Sequence, residues 1–167
     1  MLRSKIVAMM ALIVFSMGIF LVGNALAGEK VKGRIVHSNT KWQHIDAGDE
    51  DGHVAAIFES KGVQSVSEGR KLFDGVVYRQ TGLLDMNLKT GLGSGHYFWD
   101  ITDKDGDKYY GTSEGKTVKA GYWVGTTKIQ KGTGKFKGIQ GKGTWQWYAV
   151  GDQGYSDFEN EIELPGR

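Results

Sequence analysis

Lys131-Gly-Thr-Gly-Lys-Phe-Lys-Gly-Ile-Gln-Gly-Lys-Gly-Thr-Trp-Gln-Trp-Tyr148 decides the reading of the fold. Five glycines, Gly132, Gly134, Gly138, Gly141 and Gly143, run through two apolar and aromatic segments. Each costs a helix interior about 1 kcal/mol relative to alanine, which excludes a helix. Glycine opens backbone angles closed to other residues and lets strands bend or approach, so the spacing predicts a tight bend followed by a strand. Phe136 and Ile139 stand between the glycines as apolar anchors. Trp145 and Trp147 share one strand face, opposite Gln146 and Tyr148.

Working outward, the same period of two recurs. Phe158, Asn160, Ile162 and Leu164 alternate with Glu159, Glu161 and Glu163, which marks a last strand with a carboxylate face toward water. Upstream, Tyr97, Trp99 and Ile101 alternate with His96, Phe98 and Asp100. Asp105-Gly106 then forms a hairpin turn leading to Lys108-Tyr-Tyr-Gly-Thr112. From Lys116 to Gln130, Ala120, Tyr122, Val124 and Thr126 alternate with Gly121, Trp123, Gly125 and Thr127, a small-large pattern suited to a curved wall.

Toward the N-terminus, Val31–His37 reads as a strand, and Lys41–Asp46 continues or pairs with it. The acidic, glycine-flanked segment 47–52 is a solvated turn, and His53–Ser60 is a short apolar strand. Residues 61–70 have no strong period and read as a loop or edge. Lys71–Asn87 reads as strands bent at Gly75 and Gly82. Beyond the N-terminal segment no helical period appears. Eight to ten consecutive antiparallel strands in one domain must close or stack to protect their edges, so the fold class is all-β, a single closed antiparallel barrel.

Residues 1–27 carry Arg3 and Lys5, an apolar run Ile6–Val22, and Ala25-Leu-Ala27. This three-part pattern predicts a secretory signal cleaved after Ala27, with the barrel domain in residues 28–167 and an exported, periplasmic or extracellular location. Residues 28–167 then hold 19 basic and 19 acidic side chains, so net charge offers no argument for nucleic acid or an anionic membrane as partner. The chain has no cysteine, so stability rests on packing without disulfides. Its 26 glycines accompany a single proline and 5 tryptophans, a composition of tight connections and a real core rather than of disorder.

Gly132-Thr-Gly-Lys-Phe-Lys-Gly-Ile-Gln-Gly141 resembles the G-T-G-x-F-x-x-x-x-G signature near the end of the dirigent and allene oxide cyclase barrels and of related bacterial proteins. The Asp105-Gly-Asp107 turn, between a Gly-His aromatic strand and a Tyr-Tyr strand, is similar to the D-G-D turn of those barrels. Together the two features cover about residues 95–148. The resemblance implies a calycin-like, eight-stranded barrel whose interior can hold an apolar small molecule. Family members range from cyclisation of a fatty-acid epoxide to guidance of radical coupling.

The residues carry no strong catalytic signature. Neither a phosphate-binding loop nor a G-x-S-x-G elbow is present, and His37, His44, His53 and His96 lack local metal-site spacing. Asp103, Asp105 and Asp107 present oxygens but not in the order of a calcium loop. No cofactor is implied. The aromatic supply is the functional signal: Tyr78, Tyr97, Trp99, Trp123 and Phe136 are the expected ligand-binding residues, with Asn160 as a polar group on an inward face. The first expectation is an internal site for an apolar or amphipathic small molecule, without chemistry. An isomerase, cyclase or coupling guide is the second. A structural or homo-oligomeric module of the cell envelope, joined through the outer wall, is the third.

Overall fold

A computed structural model describes residues 28–165 apart from residue 152; the expected signal, residues 1–27, lies outside the described residues. Eight antiparallel strands follow one another around a closed barrel. They are β1 (Glu29–Asp46), β2 (His53–Glu68), β3 (Val76–Asn87), β4 (Leu92–Thr102), β5 (Lys108–Lys119), β6 (Tyr122–Gly132), β7 (Gln140–Val150) and β8 (Gln153–Glu163). Each strand pairs with its sequence neighbours, and β1 closes the ring by pairing Glu29–His37 with β8 from Ile162 back to Gly154. Among the described residues the only helical pieces are 3-10 turns at Lys71–Phe73 and Gly134–Phe136, and no helix is long and apolar enough to cross a membrane.

The alternation fixes which face points in. Tyr97, Trp99 and Ile101 of β4 are buried, while Phe98 between them is 57% exposed. Phe158, Ile162 and Leu164 are buried opposite exposed glutamates, as the sequence pattern requires. The Asp105-Gly106 hairpin joins β4 to β5.

The two ends of the barrel differ. At one end, the 3-10 turns carry Phe73 and Phe136 inward. Their rings stack 6.0 Å apart, and Tyr109 lies 4.9 Å from the Phe136 ring. These rings belong to the larger of two core clusters and close this end. The glycine stretch makes the closure: β6 ends at Gly132, Gly134 and Gly138 take positive φ of +47° and +81°, and β7 starts at Gln140. A bend followed by a strand is therefore the observed local structure. The opposite end, ringed by the β1–β2, β3–β4, β5–β6 and β7–β8 turns, is the mouth.

The closed end also unites the two sequence motifs. The Asp107 carboxylate accepts the Lys135 backbone N–H at 3.1 Å, and Thr133 exchanges backbone and hydroxyl hydrogen bonds with Lys108. The Lys135 ammonium pairs with Asp103 and, at 2.7 Å, with Asp105. Asp103 Oδ1 accepts the N–H groups of Asp105 and Asp107. The three carboxylates are thus occupied in fastening the β4–β5 turn to the β6–β7 turn, which is a structural account of a segment that could have read as a cation site.

Three expectations need correction. Residues 61–68 are not loop but the second half of β2, paired with β1 and, through Gln64, with β3. The inward Gln64 hid the period, and its amide is satisfied by the Phe73 carbonyl at 2.8 Å and the Tyr109 hydroxyl at 3.1 Å. The 116–130 run is two strands, because its regular alternation conceals the Ala120-Gly121 turn. Gly82 marks no bulge in β3: that strand pairs in unbroken register on both sides, and the register shifts fall in the β1–β2 and β5–β6 pairs instead.

One further feature of β1 bears on the mouth. Beyond His37 it has no β8 partner and pairs only with β2, so Ser38–Asp46 has a free edge among the described residues.

Candidate functional site

The inward faces do not fill the barrel. A cavity of about 220 Å³ runs inside it from the tyrosines above the plug to Trp42, Met86 and Trp147 near the mouth. Glycine explains how a barrel so rich in large aromatics stays hollow. A Cβ at Gly82 would meet the Phe58 ring, one at Gly111 the Trp99 ring, one at Gly115 or Gly125 the Trp145 ring, and one at Gly154 the Trp147 ring. Each inward glycine is a notch into which a ring from another residue lies along the wall instead of reaching to the axis. The high glycine count is thus a device for space inside as much as for turns.

Five of the six expected ligand-binding residues come together on the cavity wall: Tyr78, Tyr97, Trp99, Trp123 and Asn160. Phe136 is the correction. It is fully buried in the plug, among Phe73, Tyr109 and the other residues of the lower core, and does not line the cavity. Its backbone belongs to the 3-10 turn, outside the strand wall, so the ring is laid across the end and not along the side. Of the other tryptophans, Trp42, Trp145 and Trp147 also line the space, whereas Tyr122 points out and stacks on Tyr148 at 4.9 Å.

Sequence reasoning missed a polar belt. His37, Gln80, Ser113, Thr127 and Ser156 project inward between the aromatic layers. Trp99 donates its indole N–H to Ser113 at 2.9 Å, and Ser113 and Thr127 hydroxyls pair at 2.8 Å. The Tyr78 hydroxyl donates to the Gln80 amide oxygen. His37 Nε2 lies 3.3 Å from Ser156 Oγ, with its ring 5.8 Å from that of Tyr78. Inward Ser and Thr at alternate positions were the available signal, obscured because each sits singly among glycines.

No protein-family model matches the chain, and no curated protein matches it. The chemistry of the cavity is accordingly read from its wall. No Asp, Glu, Lys or Arg lines it. Burial raises the hydroxyls of Tyr78, Tyr97 and Tyr109 above the ordinary tyrosine range, so all three are neutral donors. Burial pushes the His37 imidazole down to about 4, so it too is neutral at pH 7.

His37 makes a pH dependence of stability. Between its unfolded value of 6.5 and about 4, the unfolded chain takes up a proton that the native chain refuses, so stability falls as pH is lowered through that window. At the mouth, His53 is held by Asp85 and Asp49, at 2.7 and 2.6 Å, and its pKa is raised. Its contribution has the opposite sign: it is present below its unfolded value and is lost as pH rises through the folded one. The two are separated by substitution. On going from pH 7 to pH 5 in urea unfolding, the native chain is expected to lose about 1–2 kcal/mol more than His37→Gln. Equal losses would show that His37 is not held neutral by the fold.

Proposed function

We propose that this protein is an exported barrel that binds a neutral, largely apolar small molecule in its interior and performs no chemistry on it. The observation that carries the reading is the 220 Å³ space walled by aromatic rings and uncharged polar groups. A space of that size exceeds the roughly 150 Å³ apolar cavity that accepts benzene, and suits a ligand on the order of ten to twenty non-hydrogen atoms. A carboxylate or ammonium ligand would lose its hydration there without meeting an opposite charge. The site of export rests on the N-terminal pattern of residues 1–27.

Kinship with the dirigent and allene oxide cyclase barrels is part of the same proposal. It is supported by the eight-stranded closure and by the contact of the two motifs through Asp107 and Lys135. Isomerase or cyclase chemistry is the second reading, favoured by Tyr78 and His37 standing together on the wall. Their shifts weigh against it, because a general acid or base works best with a pKa near the operating pH, and burial moves these two away from it in both directions.

Titration with N-phenyl-1-naphthylamine, a neutral apolar fluorophore, tests the binding reading. Saturable one-to-one binding with energy transfer from tryptophan is expected, and an anionic naphthalene sulfonate should bind far more weakly. Absence of saturable binding of the neutral probe would overturn it.

A further inference from the structure

Four aliphatic side chains stand on the rim of the mouth. Leu88 and Leu92 flank the β3–β4 turn, Val118 precedes the β5–β6 turn and Val150 ends β7. They are 45, 47, 57 and 59% exposed. Exposed apolar residues are ordinary when scattered singly, but these belong to turns that touch. A Cβ at Gly91 would lie 3.0 Å from that of Ala120, and one at Gly121 3.4 Å from that of Ala149. The Ala149 N–H also bonds the Gly121 carbonyl at 2.9 Å. The three turns therefore form one continuous arc of the rim.

Charge follows the same arc. Residues 28–167 are neutral as a whole, yet Lys108–Val150 carries eight lysines against one acid, Glu114. Among the described residues, ion pairs on this side take only Lys108 and Lys135. Lys116 and Lys119, beside the β5–β6 turn, are exposed. The β1–β2 turn, with Asp46, Asp49, Glu50 and Asp51, takes the remaining side of the rim, and Asp51 holds Lys89. We propose that the arc docks on the surface of a lipid bilayer bearing anionic headgroups. The four aliphatic side chains enter the acyl boundary, Lys116 and Lys119 meet the headgroups, and the acidic turn is repelled, so the barrel tilts onto its β5–β7 side. A nucleic acid or other soluble polyanion would engage the lysines but gain nothing from the aliphatic tips. Docking stands on the rim alone. Its use rests on the cavity-binding reading: with the mouth against the membrane, an apolar ligand passes between bilayer and cavity without crossing water.

Flotation with vesicles, using the protein as its host processes it, tests docking. Vesicles of phosphatidylcholine and phosphatidylglycerol at about 7:3 are expected to bind about tenfold more protein than phosphatidylcholine alone, with most of the difference lost in about 0.5 M salt. The pair Val118→Asp with Val150→Asp, and the pair Lys116→Glu with Lys119→Glu, should each lower binding about fivefold. Val63→Asp, equally exposed but on the outer wall of β2 toward the closed end, is the control and should change it less than about twofold. Equal binding to both vesicles, an equal loss in the control, or no flotation at all overturns the proposal. So does a loss confined to the lysine pair, which marks a general polyanion surface. A sedimenting dimer that the valine pair makes monomeric assigns the arc to a second copy and overturns it as well. Naphthylamine titration without vesicles decides the cavity reading separately and, unchanged in the variants, shows that they fold.

Discussion

Gly134→Val should abolish folding at physiological temperature. The residue has φ of +47°, in the left-handed region that a β-branched side chain enters only with strain. There is no room either, since a Cβ there would fall within the carboxyl group of Asp107. That carboxylate cannot simply withdraw, because it accepts the Lys135 backbone N–H and helps fasten the β4–β5 turn. The substitution therefore combines backbone strain with rupture of the contact between the two turns and displacement of Phe136 from the plug. Together these are expected to cost on the order of 4–5 kcal/mol, a large share of the 5–15 kcal/mol typical of a whole domain. Circular dichroism and thermal melting would check it. A protein with an unaltered melting temperature would show that the glycine bend is not a structural hinge. Gly134→Ala, which carries a shorter side chain but meets the same carboxylate, is expected to fold with a lowered melting temperature.

The second large effect is on binding. Gly82→Ala should leave a folded protein with a closed interior. The three atoms nearest the added methyl all belong to the Phe58 ring, so the clash is relieved by moving one side chain. Phe58 packs between Trp42, 6.2 Å away, and Tyr97, 6.1 Å away, and the free direction is the cavity that it already lines. Overpacking of this kind costs about 1–3 kcal/mol of stability. Loss of naphthylamine affinity of at least tenfold is expected, because the ring takes the ligand's space. Adding Phe58→Leu to Gly82→Ala should restore much of the affinity, since the smaller side chain fits beside the methyl. If the single variant binds as well as the native protein, the glycines are not what keeps the barrel hollow.

These expectations rest on features that were unequally legible in the sequence. The alternation of Tyr97, Trp99 and Ile101 could be read directly, because every inward position carries an apolar side chain and every outward one is free to be polar. The same held for Phe158–Leu164 and for the Asp105-Gly106 turn. The second half of β2 could not, since its inward Gln64 gains its partners from Phe73 and Tyr109, distant in sequence. Phe136 was visible as an anchor that could plug or line one end of the barrel, but not which, because only the placement of the 3-10 turn decides whether a ring lies across the end or along the side. The glycines were visible as a count. Their pairing with particular rings depends on which residues the barrel brings side by side, as with Gly111 and Trp99, and no local pattern encodes that.

The seam between β1 and β8 has a consequence in time. It joins residues 29–37 to residues 154–162, the two extremes of the described chain, whereas every other strand pair is a sequence neighbour. A growing chain can therefore zip from hairpin to hairpin, but the ring cannot close until its last strand has emerged. Up to that moment the sheet has two unpaired borders, each a template for wrong pairing. All-β topologies built on non-local strand pairings fold in milliseconds to seconds. A chain that crosses a membrane before folding would meet no such delay inside the cell, and would complete its ring only after release on the far side.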